Sequence, residues 1–332
     1  MSYDVTFTNI SGAGTQADPY IISDMAGFKE LFQEKAGTLQ ALSNTWIKFA
    51  DGGGTLDFSK DGWYGTTARN FLMRIPHLTN ASNTVFYTYI DGNGWTLING
   101  SFCNLISGGS VGMIYLSKIS GETWSNLYVK LSNLTFKNMY FYNGNSSTCY
   151  IYLNSAESSS FSQTFIFDRC KFSLCLDATG SGNIYWNRQE HGTLLYNNCS
   201  INLKMVRNPS ITNIYWVSSY FAPIRYINNL IQLKGTFPGG SVIVLNNAYF
   251  NKIVGDLDFD TAALNFFSPS YNGYNVIDMP SSSPSIKQAT NLISRSGTIS
   301  DSQNSYIVTE AQMKNKDYLN SIGFICGDPP TD

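Results

Sequence analysis

The chain reads as an all-β solenoid of short strands joined by tight turns, and three observations predict it. Apolar residues come in short β-branched or aromatic runs with asparagine or glycine at the corners. Residues 242–259, Val-Ile-Val-Leu-Asn-Asn-Ala-Tyr-Phe-Asn-Lys-Ile-Val-Gly-Asp-Leu-Asp-Phe, show the pattern and read as one coil. These runs are too short and wrongly spaced for helices. A phrase also recurs: Asn133-Leu134-Thr135-Phe136, Arg169-Cys170-Lys171-Phe172, Asn198-Cys199-Ser200-Ile201 and Asn247-Ala248-Tyr249-Phe250. Each has a polar corner, a small or apolar residue, a spacer and a large apolar residue, and on a strand the second and fourth point the same way. With Asn229-Leu230-Ile231-Gln232 included, which breaks the alternation, copies fall roughly 18 to 36 residues apart, close to the periods of repeat architectures. A β-sandwich with Asn-rich turns is the competing architecture.

Taken in order, the chain opens with Gly12-Ala13-Gly14-Thr15-Gln16-Ala17-Asp18-Pro19-Tyr20-Ile21-Ile22. Pro19 fixes a turn, and the residues after it read as a strand. Asp24 suits a helix N-cap. Met25, Phe28, Leu31 and Phe32 follow at helical spacing and form one apolar face. Such a helix would cover the open apolar end of the first coil, which a solenoid needs. The middle begins with the turn Asp51-Gly52-Gly53-Gly54 and the strand-like Thr55-Leu56-Asp57-Phe58. No Gly-Lys-Ser/Thr follows those glycines, so they are not a phosphate loop. Asp91-Gly92-Asn93-Gly94 is a second tight turn, with Trp95-Thr96-Leu97-Ile98 as the strand leaving it. Loop-like insertions are expected at residues 143–148, 154–160, 177–183 and 218–223. The Pro- and Ser-rich residues 278–285 read as the transition out of the solenoid. At the far end Thr309 and Gln312 have capping-box spacing, Leu319 and Ile322 share a face, and Gly323 suits the C′ position.

The Gly-Thr-x-x-Asp-Pro-Tyr-x-Ile phrase at residues 14–22, followed by a short helix, resembles the start of right-handed parallel β-helix surface proteins of gut bacteria and their tailed phages. The Thr309-x-x-Gln312-Met313-Lys314…Gly323-Phe324 element looks like the closing element of the same group. The match covers about 30 residues at the two ends and identifies an architecture, not an activity. It implies a right-handed parallel β-helix over residues 41–305. An N-terminal strand and capping helix would occupy residues 1–40, and a C-terminal capping helix and extended tail residues 306–332. Trimeric assembly, the usual state of phage fibres, also follows from the resemblance.

Composition narrows the function classes. The chain has 332 residues, 21 Lys plus Arg against 23 Asp plus Glu, and a net charge of −2; no basic stripe appears, so no nucleic-acid partner is expected. Charged residues make up only 13%, well under the usual share, and polarity comes from Asn, Ser, Thr and Tyr. Such a surface suits extracellular or virion proteins that contact sugars, and equally any turn-rich β-protein. No apolar run approaches a membrane span, so no membrane insertion is expected. The opening Met-Ser-Tyr-Asp-Val-Thr-Phe has neither a charged n-region nor an apolar run. The expectation is folding in the cytoplasm of the producing cell, unless a leader has been removed. Cys103, Cys149, Cys170, Cys175, Cys199 and Cys326 show no metal spacing. Cys170 and Cys199, which share a place in the repeat, read as stacked, reduced core residues.

The sequence offers little for catalysis. Only His77 and His191 could serve a nucleophilic triad, and His77 has no local carboxylate. Glycoside hydrolysis needs two carboxylates roughly 5 to 10 Å apart. Stacked coils could supply them as Asp57 with Asp91 or Glu157 with Glu190, but neither pair carries a signature, and the Lys and Arg residues are too dispersed for a lyase base. Asp256-Leu257-Asp258-Phe259-Asp260 lacks the glycine and glutamate of a calcium loop and reads as strand alternation. Five Asn-x-Ser/Thr matches, at Asn9, Asn80, Asn133, Asn145 and Asn198, are expected by chance in so Asn-rich a chain. No metal and no cofactor is expected. The best binding candidate is the loop-like run 185–192, which gathers Tyr185, Trp186, Arg188, Glu190 and His191 for a glycan.

The resulting expectation is a non-enzymatic virion appendage of a tailed phage, a head fibre or tail adhesin assembled in the host cytoplasm. Its partners would be host cell-surface polysaccharide and other virion proteins, and it would be a homotrimer with outward aromatics between protomers. The alternatives are a glycan-cleaving tailspike and a secreted bacterial β-helix adhesin without its leader.

Overall fold

The structure is a computed structural model. It describes residues 6–35, 44–64, 71–77, 85–104, 110–118, 126–143, 149–156, 163–178, 182–189, 192–207, 211–215, 224–227, 230–237, 242–246, 248–249, 252–259, 263–267, 275–278, 285–287, 292–294, 298–300, 306–313 and 315–321. The chain is all-β with few helices. Its strands form three parallel sheets, of eight, twelve and nine strands among the described residues. The first runs from Tyr20–Ile22 through Thr45–Phe49, Val85–Asp91, Asn126–Ser132, Gln163–Asp168, Gly192–Asn197 and Ile224–Ile227 to Ala248–Tyr249. The second begins at Thr55–Asp57 and ends at Tyr306–Ile307; the third begins at Phe71–His77 and ends at Thr298–Ser300.

From Val85 to Phe267 the strands visit the three sheets in rotation, and beyond Phe267 the described strands alternate between the second and third. Val85–Asp91 lies in the first sheet, Thr96–Ile98 and Ser101–Asn104 in the second, Ser110–Lys118 in the third, and Asn126–Ser132 in the first again. Parallel neighbours need a crossover between them, and here the passage through the other two sheets supplies it. Residues 242–259, read as one coil, do cross all three sheets, as Val242–Asn246, Ala248–Tyr249 and Lys252–Phe259.

Alternation decides what each sheet buries. In the first sheet Ile47, Ile90, Leu131, Phe167 and Tyr196 stand in register and are all buried. In the second, Leu56, Leu97, Phe136, Phe172 and Ile201 do the same, and the Phe136 and Phe172 rings stack 5.2 Å apart. Burying one such side chain stabilises by about 1.5–3 kcal/mol. Much of the chain's phenylalanine is therefore spent on the interior.

The corners explain the repeated phrase. Asn133, Arg169 and Asn198 all have φ near +54, the left-handed region that asparagine tolerates best. Each lets the chain turn from the first sheet to the second and aims the next residue, Leu134, Cys170 or Cys199, into the core. Both cysteines are reduced and have no exposed surface, as their shared place in the repeat predicts. Two copies are corrected. Leu230 pairs with Ser200, and Ile231 with Ile201, so this phrase begins one residue earlier than its asparagine suggests. Ala248 and Tyr249 pair with Tyr226 and Ile227 and so belong to the first sheet, unlike the other copies.

The N-terminal helix forms as its spacing predicts. Asp24 caps Met25–Lys29 by accepting from the Gly27 N–H at 2.8 Å, and one π turn over Glu30–Glu34 extends it. Phe28, Leu31 and Phe32 are fully buried, and Phe28 packs on Phe49 and Phe58 from the first two sheets. At the other end, Thr309 donates its N–H to Gln312 Oε1 at 2.8 Å and accepts from the Gln312 N–H at 3.3 Å, a reciprocal capping box. Leu319 falls in the helix Lys316–Ser321, while Ile322 and Gly323 lie outside the described residues. Of residues 278–285, read as the transition out of the solenoid, Asp278 closes the strand Asn275–Asp278 and Ser285 opens Ser285–Lys287, which pairs with Ala263–Phe267 and Thr298–Ser300. Residues 279–284 lie outside the described residues. Among the described residues no helix is long and apolar enough to cross a membrane.

Candidate functional site

The outer face of the first sheet carries the most developed surface among the described residues. It follows from the alternation that builds the core. Thr45, Ile47 and Phe49 point inward and are buried, so Trp46 and Lys48 point out. Thr88 and Ile90 are buried, so Tyr87, Tyr89 and Asp91 point out. Val129 and Leu131 are buried, which leaves Tyr128, Lys130 and Ser132 on the outside.

Register then assembles these residues into rungs. Trp46 pairs with Tyr89, and Tyr89 with Lys130. Lys48 pairs with Asp91, Asp91 with Ser132, and Ser132 with Asp168. Tyr87 pairs with Tyr128. The result is an aromatic surface. Trp46 and Tyr89 stack 5.3 Å apart at 18°, Tyr87 and Tyr89 lie 6.2 Å apart and nearly parallel, and Tyr128 leans on both tyrosines at 5.6 and 5.9 Å. Tyr87 is 38% exposed. Burial pushes the Tyr128 hydroxyl above its ordinary value, so it is a neutral donor at physiological pH.

A polar row runs beside the rings. Lys48 Nζ lies 2.6 Å from Asp51 Oδ1, which raises the lysine and lowers the aspartate. Asp91 Oδ1 accepts from the Asn93 N–H at 3.0 Å and from Asn133 Nδ2 at 2.9 Å. Asp168, nearly buried, faces Lys130 at 3.2 Å and Arg169 at 3.4 Å and accepts from Asn197 Nδ2 at 2.9 Å. Asn93 donates to the Phe49 and Ala50 carbonyls and to Asp51 and so ties the row to the turn below. Rings and row meet in a cleft of about 310 Å³ lined by Trp46, Lys48, Tyr89, Asp91, Lys130 and Ser132, with Gln16 and Pro19 on its rim.

The site expected from sequence lies elsewhere. Tyr185, Trp186 and Arg188 belong to Gly182–Gln189, a strand of the third sheet and not a loop. Tyr185 pairs with Tyr150 and Tyr215 there; Glu190 and His191 lie outside the described residues. Parts of the expected insertions are strand, since Cys149–Ala156, Lys171–Ala178 and Gly182–Gln189 take in residues 154–156, 177–178 and 182–183. The rest of 154–160 and 177–183, and all of 218–223, lie outside the described residues. Asp57 and Asp91 do not form a stacked pair. Asp57 sits in the second sheet, where it accepts from the Ser59 N–H and Asn99 Nδ2, whereas Asp91 is in the first. Glu157 lies outside the described residues, and His77 closes the strand Phe71–His77. Residues 256–259 lie in the strand Lys252–Phe259, as alternation predicts. Among the described residues no group of three or more His, Cys, Asp or Glu is placed to hold a metal ion.

The sequence did hold a signal for the aromatic face. Trp-x-Lys at residues 46–48, Tyr-x-Tyr-x-Asp at 87–91 and Tyr-x-Lys-x-Ser at 128–132 each put an aromatic and a polar residue in the same strand phase. Comparison with protein-family models, curated proteins and solved structures found no match to the chain.

Proposed function

We propose that the three sheets wrap into one right-handed parallel β-helix, capped by a helix at each end, and that the protein is a non-enzymatic virion appendage of a tailed phage. In this reading it is a head fibre or tail adhesin that assembles in the host cytoplasm and binds host surface glycans. The rotation of strands among the three sheets and the resemblance at the two chain ends support the architecture. The outward cluster of Trp46, Tyr87, Tyr89 and Tyr128 carries the glycan reading. Partly exposed aromatic faces beside hydrogen-bonding groups suit the apolar faces and hydroxyl edges of sugars.

Trimeric assembly and contact with other virion proteins belong to the same proposal and rest on the resemblance and the weak surface charge. An aromatic surplus lends less support than composition suggests, because Phe28, Phe32, Phe49, Phe58, Phe136 and Phe167 are all core residues. Tyr185, Trp186 and Arg188, on the third sheet, are retained with Glu190 and His191 as a second glycan contact.

The test is incubation of the full chain with host cells and purified envelope polysaccharide. Binding without sustained release of reducing ends is the expected result. Release of oligosaccharide, abolished by Asp57→Asn or Glu190→Gln, would move the assignment to a tailspike enzyme. Immunogold images of intact particles test the virion location.

A further inference from the structure

We propose that the cleft between the N-terminal turn and the outer face of the first sheet is the principal sugar subsite, and that it takes an uncharged, hydroxyl-rich pyranose in preference to an acidic one. The inference rests on the glycan-binding reading above and adds the place of the subsite and the charge class of its ligand.

The volume, about 310 Å³, falls at the lower end of the range of small-ligand sites. One wall is aromatic, formed by the stacked rings of Trp46 and Tyr89. The surface these rings leave uncovered suits the C–H groups of a sugar ring. The polar side carries both signs of charge, already balanced within the protein. Lys48 is paired with Asp51 and Lys130 with Asp168. An ammonium has three donors, so each lysine keeps N–H groups for a ligand. Among the described residues Asp91, whose charge also acts on its register partner Lys48, accepts hydrogen bonds from the neutral Asn93 and Asn133 groups, both through Oδ1. Its other oxygen takes no hydrogen bond among the described residues. A sugar hydroxyl can donate to Asp91 and accept from a lysine without disturbing either ion pair. A uronate carboxylate would meet the Asp91 charge and compete with Asp51 or Asp168 for their lysines. Like charge at short range is the stronger discriminator.

The rim gives the N-terminal Gly14-Thr15-x-x-Asp18-Pro19 phrase a role. Thr15 Oγ1 accepts from the Asp18 N–H at 3.1 Å, and the Gly14 carbonyl accepts from the Trp46 N–H at 3.0 Å. Gly14 has φ +73, and a Cβ there would sit 2.4 Å from the Tyr20 ring, so only glycine fits. The turn is thereby fixed to the strand that carries Trp46. Gln16 is held exposed at the cleft with its amide unbonded among the described residues.

The experiment is calorimetric titration of the full chain with neutral gluco-, manno- and galacto-oligosaccharides and with uronate oligomers of matched length. The expected result is binding of at least one neutral series, with uronates weaker by tenfold or more, an order of magnitude set by one unfavourable charge contact. Trp46→Ala should lose roughly tenfold in affinity through the lost stacking. Gln16→Ala should lose a few-fold with an unchanged Tm, because an exposed, unbonded side chain does not hold the fold. Asp91→Asn should narrow the gap between neutral and acidic oligomers. Uronate binding equal to or tighter than neutral binding overturns the charge assignment. Wild-type affinity in both Trp46→Ala and Gln16→Ala overturns the subsite while leaving the glycan reading standing. A shift of Trp46→Ala from oligomer to monomer in sedimentation assigns the cleft to a second copy of the chain. Failure to bind any oligosaccharide or host envelope preparation overturns the glycan reading itself.

Discussion

The two faces of the strand Val85–Asp91 differ in what holds them. Inward, Ile90 is fixed between Ile47 and Leu131 by register and lies in a continuous apolar stack. Outward, Tyr87 and Tyr89 touch mainly other rings and stay accessible to a ligand. The same twofold alternation builds both faces, and the inner one carries the apolar burial. Stability and recognition should therefore separate cleanly by strand phase, and the following substitutions test how cleanly.

The largest effect is expected inside. Phe167→Ala removes a ring packed against Phe165, Phe172 and Tyr196 and should cost about 3–5 kcal/mol in denaturant unfolding. Tyr87→Ala on the outer face should cost about 1 kcal/mol or less. Equal losses at the two sites would break the separation.

Thiols probe the same contrast along Lys171–Ala178 and its corner. Cys170 and Cys199 point inward with no exposed surface, while Cys175 is partly exposed. In native protein the first two should label roughly a hundredfold more slowly than Cys175, because labelling them requires local opening. Burial raises the Cys175 and Cys199 thiols, so labelling should quicken as pH rises. Fast native labelling of Cys170 would refute the inward stack.

A third comparison sets a buried carboxylate against an exposed one. Burial works to raise Glu30, but the Thr8 and Asn9 N–H donors and the Lys35 ammonium outweigh it and hold the group at about 2, against an ordinary 4.5. A depressed folded value means that this stabilisation is fully present above pH 4.5 and is lost as pH falls toward 2. Acid unfolding should show a loss on the order of 2 kcal/mol across that window. Glu30→Gln should flatten it, whereas Asp51→Asn, at an exposed ion pair, should change it far less.

The smallest effect is at a corner. Arg169 holds φ +54, and Asn133 and Asn198 hold the same conformation with a better-suited side chain. Arg169→Asn should raise stability by about 0.5 kcal/mol in thermal unfolding, since the Arg169 side chain is exposed and its contact with Asp168 is long. A loss of stability would show that the ion pair outweighs the backbone strain.

The glycan candidate at residues 185–191 and the aromatic face of the first sheet show what local composition can and cannot reveal. The first gathers its residues within one short run and so stood out, although Gly182–Gln189 is a strand. The second is spread over three strands, and no single segment contains more than two of its rings. Spacing gave no help, because the length of chain between stacked positions varies. Asp91 and Asn133 are 42 residues apart, but Asp168 and Asn197, which also meet side chain to side chain, are only 29 apart.

By itself the sequence determined what is local. Twofold alternation set which residues face inward, left-handed corners placed the turns, and capping residues placed the first helix and the Thr309 box, because each depends on neighbours a few residues away. Only the tertiary structure decided which outward residues meet. Parallel register brings Trp46 to Tyr89, Tyr87 to Tyr128 and Lys48 to Asp91. Inward residues are specified one by one through the cost of exposing them, so their burial is legible in sequence. Outward neighbours are chosen by how much chain is taken up in passing through the other two sheets, and no local preference fixes that length.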